Sequence, residues 1–188
     1  MDMTIGPLSG LMLQHMALMN LAVPGLVYLL RPTVPPVLFR YWPLATALQL
    51  ALLWGWHAPP SLTAAMSNPL VMLVMSASLT AAAAWFWLAI YAMPAAGRWR
   101  AIFALLVTGK LFCLLGALLV FAPRTLFGAM EQGSQAVSMA ESLADQQLAG
   151  LVMLVVCPLV YITAGVVLAS RWFLGMEASG TKAEAWNS

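Results

Sequence analysis

The sequence predicts an all-α, polytopic transmembrane bundle of about five spans, and three observations carry that prediction. Of 188 residues, 63% are apolar and only 7% are charged, whereas an ordinary soluble domain carries about 25% charged residues. The apolar residues gather into five runs, most of them near the roughly 20 residues that a helix needs to cross the hydrocarbon. Proline, arginine or short polar stretches separate the runs, and the remaining length leaves no room for a separate soluble domain.

The first run extends from Leu8 to Leu30, is closed by Arg31 and Pro32, and contains Pro24, which membrane helices tolerate as a kink. The chain opens Met1-Asp2-Met3-Thr4 without the positive n-region of a signal peptide, so this run is expected to stay in the mature protein. The second, from Trp42 to Trp56, is short and stops at His57-Ala58-Pro59-Pro60. A third covers Leu70 to Ala92 and is rich in Ala and Ser, which let helices approach closely. The fourth spans Ala101 to Phe121 and is closed by Pro123; the fifth spans Leu148 to Phe173. Between them, Arg124 to Gln147 is the longest connection, and its scattered Phe127, Met130, Val137, Met139 and Leu143 suggest a short interfacial helix. Residues 1–174 are thus read as the bundle and 175–188 as a polar, solvated C-terminal tail.

Charge sets the expected orientation, because Lys and Arg near span ends are retained on the cytoplasmic side. With five spans, one side collects Arg31, Arg40, Arg98, Arg100, Arg171 and Lys182, and the other only Arg124. The N-terminus is therefore expected outside and the C-terminus in the cytoplasm. The outer side then receives the His57–Asn68 connection and the start of the fifth span at Asp145-Gln146-Gln147. A net charge of +2, scattered along the chain, makes no basic patch for nucleic acid. Cys113 and Cys157 lie in apolar runs without CxxC spacing, which fits neither a disulfide framework nor a zinc site. No GxGxxG, Walker, GxSxG or HExxH pattern occurs and the few acids are peripheral, so the expectation is that the protein is not an enzyme.

A few polar residues need an explanation. His15 lies about seven residues, hence roughly 10 Å, into the first span, and an intramembrane histidine is a functional candidate by default. Met12, His15, Met16 and Met19 follow i, i+3, i+4, i+7 spacing on one helix face. Thioether and imidazole together suit Cu(I), while the competing account is that methionine simply fills a core. His57 is expected at the same outer level, although a histidine in a last helical turn also complements the helix dipole. Asp145 either completes a capping box with Ser142 or steers a cation, with Gln147 and Met153 as supporting residues. Lys110 falls in mid-span, where an ammonium group costs about 3 kcal/mol or more, so it snorkels, pairs with a neighbouring chain or serves conduction.

Four ordered motifs carry a family resemblance: Leu13-Gln14-His15-Met16; Leu53-Trp54-Gly55-Trp56-His57-Ala58-Pro59; Leu115-Gly116-Ala117-Leu118 through Phe121-Ala122-Pro123; and Asp145-Gln146-Gln147-Leu148-Ala149-Gly150. Together, from about Leu11 to Leu168, the sequence resembles the CtaG cytochrome c oxidase assembly family. That resemblance implies a non-catalytic protein of the bacterial-type inner membrane that handles copper for the haem-copper oxidase. It makes the oxidase subunits, or another membrane complex, the expected partners besides lipid, and His15 and His57 the metal-handling residues, supported by Asp145 and Gln147. The sequence departs from the family pattern in being shorter, and in carrying Met72 and Met75 where further histidines are expected near the start of the third span. Methionine then replaces histidine as a soft ligand, or the metal site is degraded and the protein persists as an accessory subunit of a respiratory complex. A third, less favoured expectation is a haem held between His15 and His57 as axial ligands.

Overall fold

The computed structural model describes residues 6–30, 35–127 and 139–187. Five helices are long and apolar enough to cross a membrane: Pro7–Leu30, Val37–Trp56, Pro69–Tyr91, Ala95–Phe121 and Glu141–Gly175. No strand occurs among the described residues. The all-helical, five-span reading therefore holds, with local differences that matter for the site.

The first span consists of helix α1 (Pro7–Ala17), a π-helical segment (Leu18–Ala22) and helix α2 (Val23–Leu30). Proline explains the irregularity. The Val23 N–H reaches back to the Leu18 carbonyl, so the next carbonyl, that of Met19, would wait for the N–H of Pro24, which proline lacks. The indole Nε1 of Trp87 donates to it instead at 3.3 Å. Pro24 is thus absorbed by one wide turn and an interhelical hydrogen bond.

A 3-10 segment (Pro36–Tyr41) leads into α3 (Trp42–Trp56). The stretch from His57 to Asn68, read as a loop, contains helix α4 (Pro59–Ser67). Pro59 and Pro60 occupy its first positions, where a missing N–H costs nothing and a fixed φ favours helix; the prolines that end α3 also start α4. Asn68 then caps α5 (Pro69–Tyr91), its side-chain oxygen accepting from the Leu70 N–H at 2.9 Å. Helix α6 (Arg98–Phe121) follows a 3-10 turn at Ala95–Gly97.

Helix α7 (Met139–Asn187) begins more than two turns before the predicted Leu148, and its backbone stays helical across the expected boundary at residues 174 and 175. Its early start is possible because the polar residues there bond to other helices, as described below. It also revises the capping-box reading: Ser142 and Asp145 both lie inside α7, and Asp145 caps a different helix. The expected interfacial helix falls mostly on residues 128–138, outside those described.

Helices α6 and α7 approach closely at two glycines. A Cβ on Gly150 would stand 2.7 Å from the Gly116 carbonyl oxygen, and one on Gly116 would stand 3.0 Å from the Gly150 oxygen. Only glycine lets the two backbones meet there. Deeper in the bundle, Tyr161 packs among Phe86, Trp87 and Phe112, with ring centroids 5.4–6.1 Å apart.

Candidate functional site

The helix directions place the start of α1, the end of α3, the start of α5, the end of α6 and the start of α7 at one end of the bundle. Asp145 ties two of them together. Its carboxylate accepts from the backbone N–H groups of Leu8 (2.9 Å) and Ser9 (3.1 Å), donors that the first turn of a helix otherwise leaves without partners. Gly6 makes room for that carboxylate, since a Cβ there would collide with it. Gln146, fully buried, ties the start of α7 to the end of α6 and the connection after it: its side-chain oxygen accepts from the Leu126 N–H at 2.8 Å and its amide donates to the Leu119 carbonyl at 3.2 Å. Gln147, singled out from the sequence, is half-buried. At the other end of the bundle, Arg98 donates to the Arg171 carbonyl at 3.2 Å, so two of the basic residues counted for topology meet there.

Inside the Asp145 clasp, α1 presents its methionines to the core. Met12 is 1% exposed, Met16 and Met19 are 0%, and His15 is 1%. The His57 ring reaches Met12 from the end of α3. Its Nδ1 lies 2.7 Å from the Leu53 carbonyl and its Nε2 lies 3.2 Å from the Met12 sulfur. A carbonyl cannot donate, so Nδ1 carries the proton and Nε2 of the neutral ring presents a lone pair to a thioether that also has none to give. Burial enforces neutrality: it pushes the His57 imidazole down to about 4, with the Leu53 carbonyl opposing that shift and the nearby His15 adding to it.

His15 does not face the same point. Its Nε2 lies 3.2 Å from Ser76 Oγ on α5, and its buried Nδ1 makes no hydrogen bond, although the Leu11 carbonyl is close by. The two imidazoles are near enough to interact electrostatically, but each Nε2 is directed at its own side-chain partner. One turn below Met12, the Met16 sulfur accepts from Asn20 Nδ2 at 3.2 Å and from the Cys157 thiol at 3.3 Å. Met153 is fully buried on the same helix as Cys157, while the Met19 side chain is buried and its carbonyl is the Trp87 acceptor. Among the described residues, no group of three or more His, Cys, Asp and Glu is placed to hold a metal.

Several residues of this region escaped the sequence reading. Asn20 sits in the first apolar run one turn from Met16, and a polar amide there was the available signal. Gln49 is fully buried and donates to the Tyr161 hydroxyl at 2.9 Å. Ser76 had no signal at all, because a serine on an Ala/Ser-rich span is ordinary.

Residues 35–174, about three quarters of the chain, match the family Cytochrome c oxidase caa3 assembly factor (Caa3_CtaG). The chain belongs to this family. No curated protein and no solved structure gives a match. The Caa3_CtaG match runs from just before α3 into α7 and includes His57, Asp145 and Gln146. Met12, His15 and Met16, on α1, precede the matched residues. Half of the His57–Met12 pair therefore comes from the Caa3_CtaG region and half from the helix in front of it. The motif glycines Gly116 and Gly150 also lie in the match, at the point where α6 and α7 touch.

Proposed function

We propose that this Caa3_CtaG protein handles copper(I) during maturation of a cytochrome c oxidase, using His57 and Met12 as its primary donors. The observation that carries this reading is the contact between His57 Nε2 and Met12 Sδ at 3.2 Å. Two buried lone pairs facing each other without a proton repel, and a cation bound by both removes the repulsion. An imidazole nitrogen and a thioether select a soft ion, which favours Cu(I) over Mg²⁺ or Ca²⁺. Copper would supply no turnover here: the residues bind it, shield it from water and release it to a partner. His15 lies beside this pair, and Met16 with Cys157 offers sulfur about 6 Å deeper along the bundle. Met19 and Met153 are buried in the same core and add further thioethers to it. Asp145 and Gln146 support the site by fixing the helix ends that carry it; Gln147 stands beside them.

The charge bias further supports an orientation in the bacterial-type inner membrane, with the Arg98–Arg171 end in the cytoplasm and the His57 end outside. Copper would then be taken from and delivered to the outer side. A haem between His15 and His57 is disfavoured, because the two Nε2 atoms are directed at different side chains and not at one shared point.

Titration of the purified protein with Cu(I), under reducing and oxygen-free conditions against a chromogenic chelator, tests the proposal. One Cu(I) per chain is expected, with Met12→Leu or His57→Ala weakening binding by at least the roughly 10–100-fold that even an outer-shell loss costs. A parent protein that binds no more Cu(I) than the double variant, together with normal oxidase in a strain lacking the gene, refutes it. The second reading, a structural accessory subunit of a membrane complex, is favoured by the absence of a three-residue His, Cys, Asp and Glu group among the described residues. A metal-free protein recovered in fixed stoichiometry with a larger complex would establish that reading instead.

A further inference from the structure

Lys110 lies at the centre of α6, twelve residues from Arg98 and eleven from Phe121. At 1.5 Å per residue that is roughly 16–18 Å from either helix end. The side chain is exposed, on the outer surface of the bundle. It shares one helix face with Phe103, Leu106, Leu114 and Leu118, each about half exposed. The spacing of three and four residues makes a continuous stripe of apolar side chains around a single cation.

Snorkelling does not account for this position. A lysine side chain reaches about 6 Å along its helix, and half the hydrocarbon thickness is about 15 Å, so the ammonium group would still stop well short of the interface. Pairing within the chain fails on sequence. The chain has six acidic residues, Asp2, Glu131, Glu141, Asp145, Glu177 and Glu184. None falls in the first four spans, and Glu141 and Asp145 stand at the entrance of the fifth, with Asp145 bonded to α1. The same count excludes a second copy of the chain, which has no carboxylate to offer at mid-depth.

We propose that the α6 face centred on Lys110 docks a transmembrane helix of a different protein, one that carries an Asp or Glu at the middle of its span. Apolar side chains above and below the ion pair exclude water and set the helix register, and the carboxylate neutralises the ammonium group. Family membership makes an oxidase subunit the natural source of such a helix. The inference rests on Lys110 and its depth and not on copper binding at His57.

A zero-length coupling experiment in native membranes tests it. A hydrophobic carbodiimide joins Lys110 Nζ to a touching carboxylate as an amide, and takes up the elements of the water lost to become a urea. The expected product is a peptide linking Lys110 to an Asp or Glu in the middle of a transmembrane segment of another chain. Lys110→Arg should abolish the link yet keep that chain copurifying in mild detergent. Lys110→Met should lower the copurified amount about tenfold or more, and exchanging the two charges, Lys110→Asp with Lys in place of the partner's acid, should restore it. The proposal is overturned by no link from Lys110, by a link to a second copy, or by unchanged copurification of the Met variant. Cu(I) affinity of purified Lys110→Met should equal that of the parent, so failure of docking and failure of copper binding are read separately.

Discussion

Replacing Asp145 tests whether the start of α7 clasps α1 or merely attracts cations. Its carboxylate takes two N–H groups, those of Leu8 and Ser9, at 2.9 and 3.1 Å. Hydrogen bonds to a charged group contribute about 1.5–3 kcal/mol each, so independent bonds would give roughly 3–6 kcal/mol. The bonds share one carboxylate and lie where water partly reaches, which lowers the expected loss for Asp145→Ala to about 2–4 kcal/mol. Asp145→Asn keeps one acceptor oxygen but turns an amide toward the second N–H, and should lose about half as much. Thermal or SDS-induced unfolding in detergent, followed by tryptophan fluorescence, measures the total. Hydrogen exchange at Leu8 and Ser9 localises it, because only those amides and their immediate neighbours should exchange faster. An Asp145→Ala protein within about 0.5 kcal/mol of the parent, with unchanged exchange at both amides, would refute the clasp. A steering role predicts the opposite pattern, with stability intact and Cu(I) association slowed in a salt-sensitive way.

Gly150→Ala should cost about 1–3 kcal/mol and lower expression, because the new methyl meets the Gly116 carbonyl oxygen at 2.7 Å and backbone cannot yield as a flexible side chain does; equal melting temperatures would count against the close crossing. Gln146→Ala strips partners from the part-buried Leu126 N–H and the buried Leu119 carbonyl and should destabilise more than Gln147→Ala, a ranking that the same melts check. His57, depressed to about 4 from the usual 6.5, should still show the neutral, Nδ1-protonated tautomer by 15N NMR at pH 5.5. Its contribution to stability is fully present above pH 6.5 and is lost as pH falls toward 4; an imidazolium spectrum at pH 5.5 would exclude the lone-pair argument.

The five spans were legible because the bilayer demands long apolar runs, and that signal is strong in single sequences. Local breaks were less legible. Pro59 and Pro60 read as a stop, which they are for α3, while their second role as the first turn of α4 depends on where the chain can turn. Pro24 read as a kink, but the accommodating π segment is visible only once Trp87 is seen donating to the Met19 carbonyl from a distant helix. The start of α7 was placed too late for a similar reason. Asp145 and Gln146 look like loop polarity in sequence, and they become helical because each bonds to a neighbouring helix or connection. At the site, the methionine face of α1 was readable from spacing alone. Which methionine meets which ring was not: Met12 meets His57 and Met16 meets Cys157 because of how α3 and α7 lie against α1.

The family match and the lone-pair contact constrain each other through α1. His57 lies inside residues 35–174 and Met12 outside them, so the matched helices alone present one imidazole and no adjoining thioether from α1. Helix α1 is held to the rest of the bundle at that end by Asp145, which lies inside the match. The Asp145 cap on α1 thereby decides whether a methionine from outside the matched residues stands at 3.2 Å from His57. A variant that opens the clasp should lose Cu(I) binding together with the α1 contact, even though neither donor is altered. Copper affinity retained in Asp145→Ala, with α1 demonstrably released by hydrogen exchange, would show that His57 binds without Met12 and that the donor pair named here is wrong.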